Sequence, residues 1–189
     1  LTAWGNALLA LNRRKEALTR HEKAAEIFRD LSGKDPRYRL DLASHLGSEG
    51  TTFYALKRPR EALACFEEAA ELLQVLINEG QPQHRPDLVV TLINTATACA
   101  DMVDGLETAI SHLDRALAVW EGAEAMPAVA LDTAPRLATL IHRTRMVAGF
   151  AARVERLAQQ VARALGGVTP ENLEQFYPLA EQAFTVLLN

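Results

Sequence analysis

The chain has 189 residues, enough for one sizeable core or for a short array of repeated units. Hydrophobic residues make up 49% and charged residues 23%, an ordinary soluble balance, and no apolar run approaches the roughly 18 residues that a membrane span needs. Two cysteines provide no disulfide framework, and a net charge of −4 disfavours nucleic acid as a partner.

The chain begins Leu-Thr-Ala-Trp, without Met and inside a predicted helix. We therefore expect a piece of a longer protein, whose other domains would be among its partners. No basic start followed by an apolar stretch suggests a signal peptide, so we expect a cytoplasmic protein without a membrane partner. Arg outnumbers Lys 16 to 4, which favours a bacterial source.

One pattern of residues occurs three times along the chain. Its copies are KEALTRHEKAAEIF at 15–28, REALACFEEAAELL at 60–73 and ETAISHLDRALAVW at 107–120. Each copy has an alanine at the same place, spaced 45 and then 47 residues apart: Ala17, Ala62 and Ala109. A weaker fourth copy has Val154 there. Self-similarity at such a period indicates an array of stacked units.

Each copy predicts two helices. In the second copy the first helix is predicted over 41–56, where apolar or small residues such as Gly50 and Phe53 recur at spacings of three and four. Residues 57–60 interrupt this helix, and Pro59 suits the first turn of the next one. The second helix is predicted to end before Gly80, by the usual role of glycine after a helix.

A glycine in the middle of the first helix predicts close packing. Gly50 costs about 1 kcal/mol relative to Ala at such a position, and Gly5 recurs in the first copy. We predict that the small Ala62 lies opposite Gly50 and fixes a tight antiparallel helix pair. His21 aligns with Phe66 and is predicted to be a buried ring.

These motifs resemble the tetratricopeptide repeat. The stretches that carry the resemblance are WGNALLALNRRKEAL at 4–18 and EGTTFYALKRPREAL at 49–63. The resemblance implies an all-α fold, a right-handed superhelical solenoid of about four antiparallel helix pairs with a C-terminal capping helix. The usual repeat has roughly 34 residues, so about 11 more would lengthen the helices here.

We expect one repeat domain over residues 1–189. Its repeats are predicted at about 1–34, 35–82, 83–127 and 128–167, with a capping segment at 168–189. Thr169 and Pro170 have the residue types of a helix start in that segment.

Two stretches are similar to parts of long-period arrays in large bacterial signalling proteins. They are DPRYRLDLA at 35–43 and HRPDLVV at 84–90. Some such arrays are attached to caspase-like proteases or to signalling ATPases. The resemblance favours a non-catalytic protein-interaction module or scaffold. It leaves open a regulatory or sensor segment of a larger enzyme, whose catalytic domain lies outside this chain, and a homo-oligomer.

The residues show no motif for catalysis, a cofactor or a metal. There is no phosphate-binding glycine loop and no His-Glu-x-x-His, and the five histidines are scattered. Asp101 and Asp104 are interpreted as a solvated turn rather than as metal ligands. We therefore expect no enzyme activity, no cofactor and no metal site.

In tetratricopeptide proteins the first helix of each pair lines a concave groove that binds peptides. Matched residue by residue, the resemblance implies these ligand-binding positions: Asn6, Ser48, Thr51, Tyr54, Asn94, Asp101, Arg136 and Arg143. It places Thr91, Thr95 and Ala98 in the same groove. The co-chaperone members hold a peptide carboxylate with Lys and Asn there. Asn6 fits that pattern, whereas the lysines are absent.

Positive charge is concentrated late in the chain. Residues 133–165 contain six Arg and one Glu, a net charge of +5. One interpretation is a solvated face whose arginines pair with neighbours such as Asp132. The other is a site for an acidic peptide segment, because Arg136 and Arg143 lie seven residues apart on one helix face and guanidinium groups suit carboxylates.

Overall fold

The computed structural model describes most of the first three predicted repeats and a few positions beyond them. The described residues are Leu8, Leu11, 13–121, Thr133, Arg136, Leu140, Ala152, Arg156 and Gln159. Across 13–121 the chain forms five α-helices and two short 3-10 turns, and this part contains no strand. The prediction of an all-α protein is therefore confirmed for the described residues.

The five helices pack in chain order. They are α1 (Arg14–Lys34), α2 (Arg39–Ala55), α3 (Pro59–Asn78), α4 (Arg85–Ala100) and α5 (Leu106–Glu121). Each packs mainly against the next, and α2 also contacts α4. The connections are short, three residues between α2 and α3 and five between α4 and α5, so consecutive helices lie side by side as antiparallel neighbours.

Proline and glycine set the helix boundaries. Pro59 is the first residue of α3, as predicted, and its ring removes only an N–H that would have no helical partner. Gly80, just after α3, has a φ of +89°, in the left-handed region that favours glycine. The sequence interpretation missed the 3-10 turns Pro36–Tyr38 and Pro82–His84, which precede α2 and α4.

Two clusters of buried side chains hold the helices together. The larger cluster connects all five helices and includes Ala25 of α1 together with Leu73, Leu92 and Leu113. Leu140, from the predicted fourth repeat, is also buried in this cluster. The smaller cluster joins α1 to α4 through five side chains: Leu18, Phe53, Ala62, Phe66 and Ala98. The alanines that define the repeat are fully buried: Ala17, Ala62 and Ala109.

Gly50 is buried against an aromatic ring. A Cβ at this position would lie only 2.7 Å from Cε1 of Phe66, and its three nearest atoms all belong to that ring. The prediction that Ala62 is the partner of Gly50 was therefore wrong, because the ring of Phe66 fills the space left by the missing side chain. His21, at the equivalent position of the first copy, is fully buried as predicted.

Candidate functional site

Four of the predicted ligand-binding residues surround one small cavity. The cavity has a volume of about 70 Å³ and is lined by Thr51, Tyr54, Phe66, Asn94, Thr97 and Arg136. Thr51 and Tyr54 come from α2 and Asn94 from α4, so the first helices of the second and third pairs both contribute. We refer to this space as the Asn94 cavity.

Tyr54 connects the Asn94 cavity to Asp101. The Tyr54 hydroxyl donates a hydrogen bond of 2.7 Å to Oδ2 of Asp101, the residue that follows α4. The two residues are 47 positions apart in sequence, so this bond joins the C-terminal ends of α2 and α4. Asp101 is thus part of the same site as predicted positions Thr51 and Asn94, and it orients the tyrosine ring beside the cavity.

The hydroxyl groups near the cavity are already used as donors. Thr51 donates to the carbonyl of Gly47 at 2.9 Å, and Thr97 donates to the carbonyl of Ile93 at 2.8 Å. Such bonds to the preceding helical turn satisfy a hydroxyl without a partner from another helix. These side chains consequently offer a ligand their oxygen lone pairs rather than their protons.

Among the residues that line the cavity, Asn94 and Arg136 carry N–H donors. Both are half-buried. The Asn94 side chain makes no hydrogen bond within the described part of the chain, and the Arg136 guanidinium, which has an interaction of its own, lies beside it at the cavity. The cavity exceeds the about 15 Å³ that one water needs and is well below the roughly 300 Å³ of a small-molecule pocket. It therefore suits a single polar group that accepts hydrogen bonds.

The remaining predicted groove positions have different surroundings. Ser48 is half-buried and donates to the carbonyl of Ser44 at 3.1 Å, outside the cavity lining. Thr95 was expected to line the groove, and this was wrong because Thr95 is fully buried. It is the residue of the third repeat at the position equivalent to Gly50 of the second. Thr91 and Ala98 are buried too. Two further predicted positions lie outside the described residues: Asn6 and Arg143.

A wider depression of about 510 Å³ lies between the turn after α2 and the turn after α4. Its lining includes cations such as Lys57 and Arg60 together with acids such as Asp104. Val103, on the second turn, is almost completely exposed. Because charges of both signs meet on this open surface, it does not select one ligand charge.

The described residues do not provide the groups that metal or thiol chemistry requires. No three His, Cys, Asp or Glu side chains come together among them in a way that could hold a metal ion. Burial raises the pKa of the Cys65 thiol to about 12 and that of the Cys99 thiol to about 11, so both are protonated at neutral pH and poor nucleophiles. Within the same residues, no helix combines the length and the apolar character of a membrane span.

No model of a known protein family matches the chain, and no curated protein matches it in sequence. The resemblance to tetratricopeptide repeats therefore depends on the repeated sequence motifs alone.

Proposed function

We propose that this chain is a tetratricopeptide-like right-handed solenoid that acts as a non-catalytic protein-interaction module. In this proposal an extended, acidic segment of a partner protein lies along the first helices of the successive pairs. The in-order packing of α1 to α5, the contact between α2 and α4, and the burial of Leu140 in the same core support the stacked arrangement.

The Asn94 cavity is the observation that carries the proposal. It occurs where the first helices of two neighbouring pairs meet, and Arg136 reaches it from the predicted fourth repeat. A ligand bound there contacts several repeats at once, as an extended segment does. The cavity is too small for a compact small molecule, which needs a larger pocket.

The donors of the cavity favour an acidic segment. A carboxylate has only acceptor oxygens, and it would accept from the Asn94 amide and the Arg136 guanidinium together. Each charge-assisted contact contributes about 1.5–3 kcal/mol to binding. Arg143 is seven residues beyond Arg136, which on the predicted helix would be about 10 Å at 1.5 Å per residue. Two carboxylates three residues apart on an extended chain, at about 3.3 Å per residue, would have the same spacing.

The test selects peptides of about ten residues from a random display library on the purified chain, since extended peptides of this size cover several pockets of a groove. We expect the selected peptides to be rich in Asp and Glu. The dissociation constant of the best one should rise at least about tenfold in an Asn94→Ala, Arg136→Ala double variant, through the lost charge-assisted contacts.

Arg115→Ala is the matched control, because Arg115 is exposed and lines neither the Asn94 cavity nor the wider depression that includes Asp101. It should leave the affinity unchanged, and binding to the wild-type chain should weaken as salt is added. Selection of peptides without acidic residues, or unaltered affinity in a correctly folded double variant, would contradict the proposal.

A further inference from the structure

Two buried histidines distinguish the contact between α1 and α2 from the contact one period later. His21 on α1 is fully buried, and both of its ring nitrogens lack a hydrogen-bond partner. His45 on α2 is buried and stacks on Phe28 of α1, with ring centroids 4.6 Å apart. The residues 45 positions further on are Phe66 and Val90, neither of which can take up a proton.

A proton on His21 would be a buried charge without compensation. Burial lowers the pKa of His21, and the positive charges of His45 on the facing helix and of the chain's amino terminus lower it further. Burial and the amino terminus also lower the pKa of His45, and Asp41 on the same helix partly opposes them. An imidazolium needs acceptors for two N–H groups, and a buried charge without such partners is strongly disfavoured.

Other charged groups between these helices form a separate set. The carboxyl of Glu49 on α2 is mostly buried, which raises its pKa, and it interacts with Glu22 and Arg29 of α1 and Glu68 of α3. Arg29 is held by two hydrogen bonds to Glu68, of 3.1 and 2.8 Å. None of these carboxylates raises the pKa of His21, on which only burial, His45 and the amino terminus act.

The buried histidine of α5 has a different environment. Nε2 of His112 lies 3.6 Å from Oε1 of Glu67 on α3, so a carboxylate is within reach of a protonated ring. Burial and Arg115 still lower the pKa of His112. The contact of α5 with its neighbours is therefore less sensitive to acid than the contact of α1 with α2.

We propose that mild acid opens the contact between α1 and α2 while α3 to α5 remain packed, because His21 can accept a proton only when α1 moves away. This conformational switch is independent of the proposed peptide binding. A histidine that is held neutral in the packed state stabilises that state above its ordinary pKa of about 6.5, and the stabilisation is lost as the pH falls through that value.

The test is native-state hydrogen exchange of the full chain at about pH 7.5 and about pH 5.5, with rates corrected for intrinsic exchange. One uncompensated histidine should lower the protection of α1 about tenfold at the lower pH, since one pKa unit is a tenfold change in equilibrium. The protection of α5 should change less.

Three variants separate the switch from general acid sensitivity. His21→Phe introduces the residue found at the equivalent position of α3, and His21→Leu introduces that of α5. Either should weaken the response of α1 to pH, leaving only the part that His45 contributes. His112→Gln removes a buried histidine elsewhere and should leave that response intact. The switch is ruled out if α1 protection does not depend on pH in the wild type, or if a folded His21 variant responds as the wild type does.

A titration of the histidine ring signals by nuclear magnetic resonance tests the wild-type chain directly. We expect the His21 signal to keep its neutral position for as long as α1 remains protected. A His21 ring that titrates near pH 6.5 while α1 stays protected would overturn the proposal, because the packed state would then accept the proton.

Discussion

The second and third helix pairs have different side chains at equivalent buried positions. In α2 and α3, Gly50 leaves space that the ring of Phe66 fills. In α4 and α5 the equivalent positions hold Thr95 and Leu113, and both are fully buried. The third pair therefore has a larger residue on its first helix and a smaller one on its second than the second pair has.

The turns within the two pairs also differ. The connection after α2 has three residues, and Lys57 adopts a φ of +61° there. The connection after α4 has five residues and ends at Gly105, where a Cβ would lie only 1.9 Å from the carbonyl oxygen of Cys99. The two extra residues account for the spacing of 47 rather than 45 between the repeat alanines Ala62 and Ala109.

Phe66→Ala should have the largest effect on this comparison. The ring is almost fully buried in the cluster that joins α1 to α4, and its loss should lower the free energy of unfolding by about 3–5 kcal/mol. Denaturant unfolding measures the change, with Val103→Ala as the control. Val103 is exposed, so the control should differ from the wild type by less than about 0.5 kcal/mol. A similarly small effect at Phe66 would mean that the ring is not packed as described.

Substitution of two glycines in the same helix should give effects of opposite sign. Gly50→Ala places a Cβ against the ring of Phe66 and should destabilise the chain by about 1–3 kcal/mol. Gly47→Ala meets no atom within 4 Å and should stabilise it by up to about 1 kcal/mol, through better helix propensity. Urea unfolding of the two variants checks this. Stabilisation by both would place position 50 away from the ring and make the assigned repeat register wrong.

The sequence predicted the repeating features well and the contacts between helices less well. Periodicity fixes which face of a helix is buried, so Ala62, His21 and the start of α3 at Pro59 could be predicted. It does not fix how far one helix is shifted along its neighbour, so Phe66 rather than Ala62 was found against Gly50.

In the candidate site, too, the positions could be predicted from the sequence but the contacts between helices could not. Thr51, Tyr54, Asn94 and Arg136 could be chosen by matching repeat positions, and the structure brings them together. The burial of Thr95 was missed because a polar residue can occupy the core when its hydroxyl bonds to its own helix, here to the carbonyl of Thr91 at 2.8 Å. The hydrogen bond from Tyr54 to Asp101 joins residues 47 positions apart, and no local pattern indicates it.

The central claim is that the helix pairs are copies of one packing unit, because the proposed groove exists only if successive first helices stack equivalently. A double-mutant cycle tests this claim most directly. It introduces the residues of the third pair into the second, as Gly50→Thr and Phe66→Leu. We predict that Gly50→Thr alone is strongly destabilising and that adding Phe66→Leu recovers at least about 1 kcal/mol of coupling energy. The claim would be contradicted if the stability loss of the double variant equalled the sum of the two single losses to within about 0.3 kcal/mol. The two positions would then not share one contact.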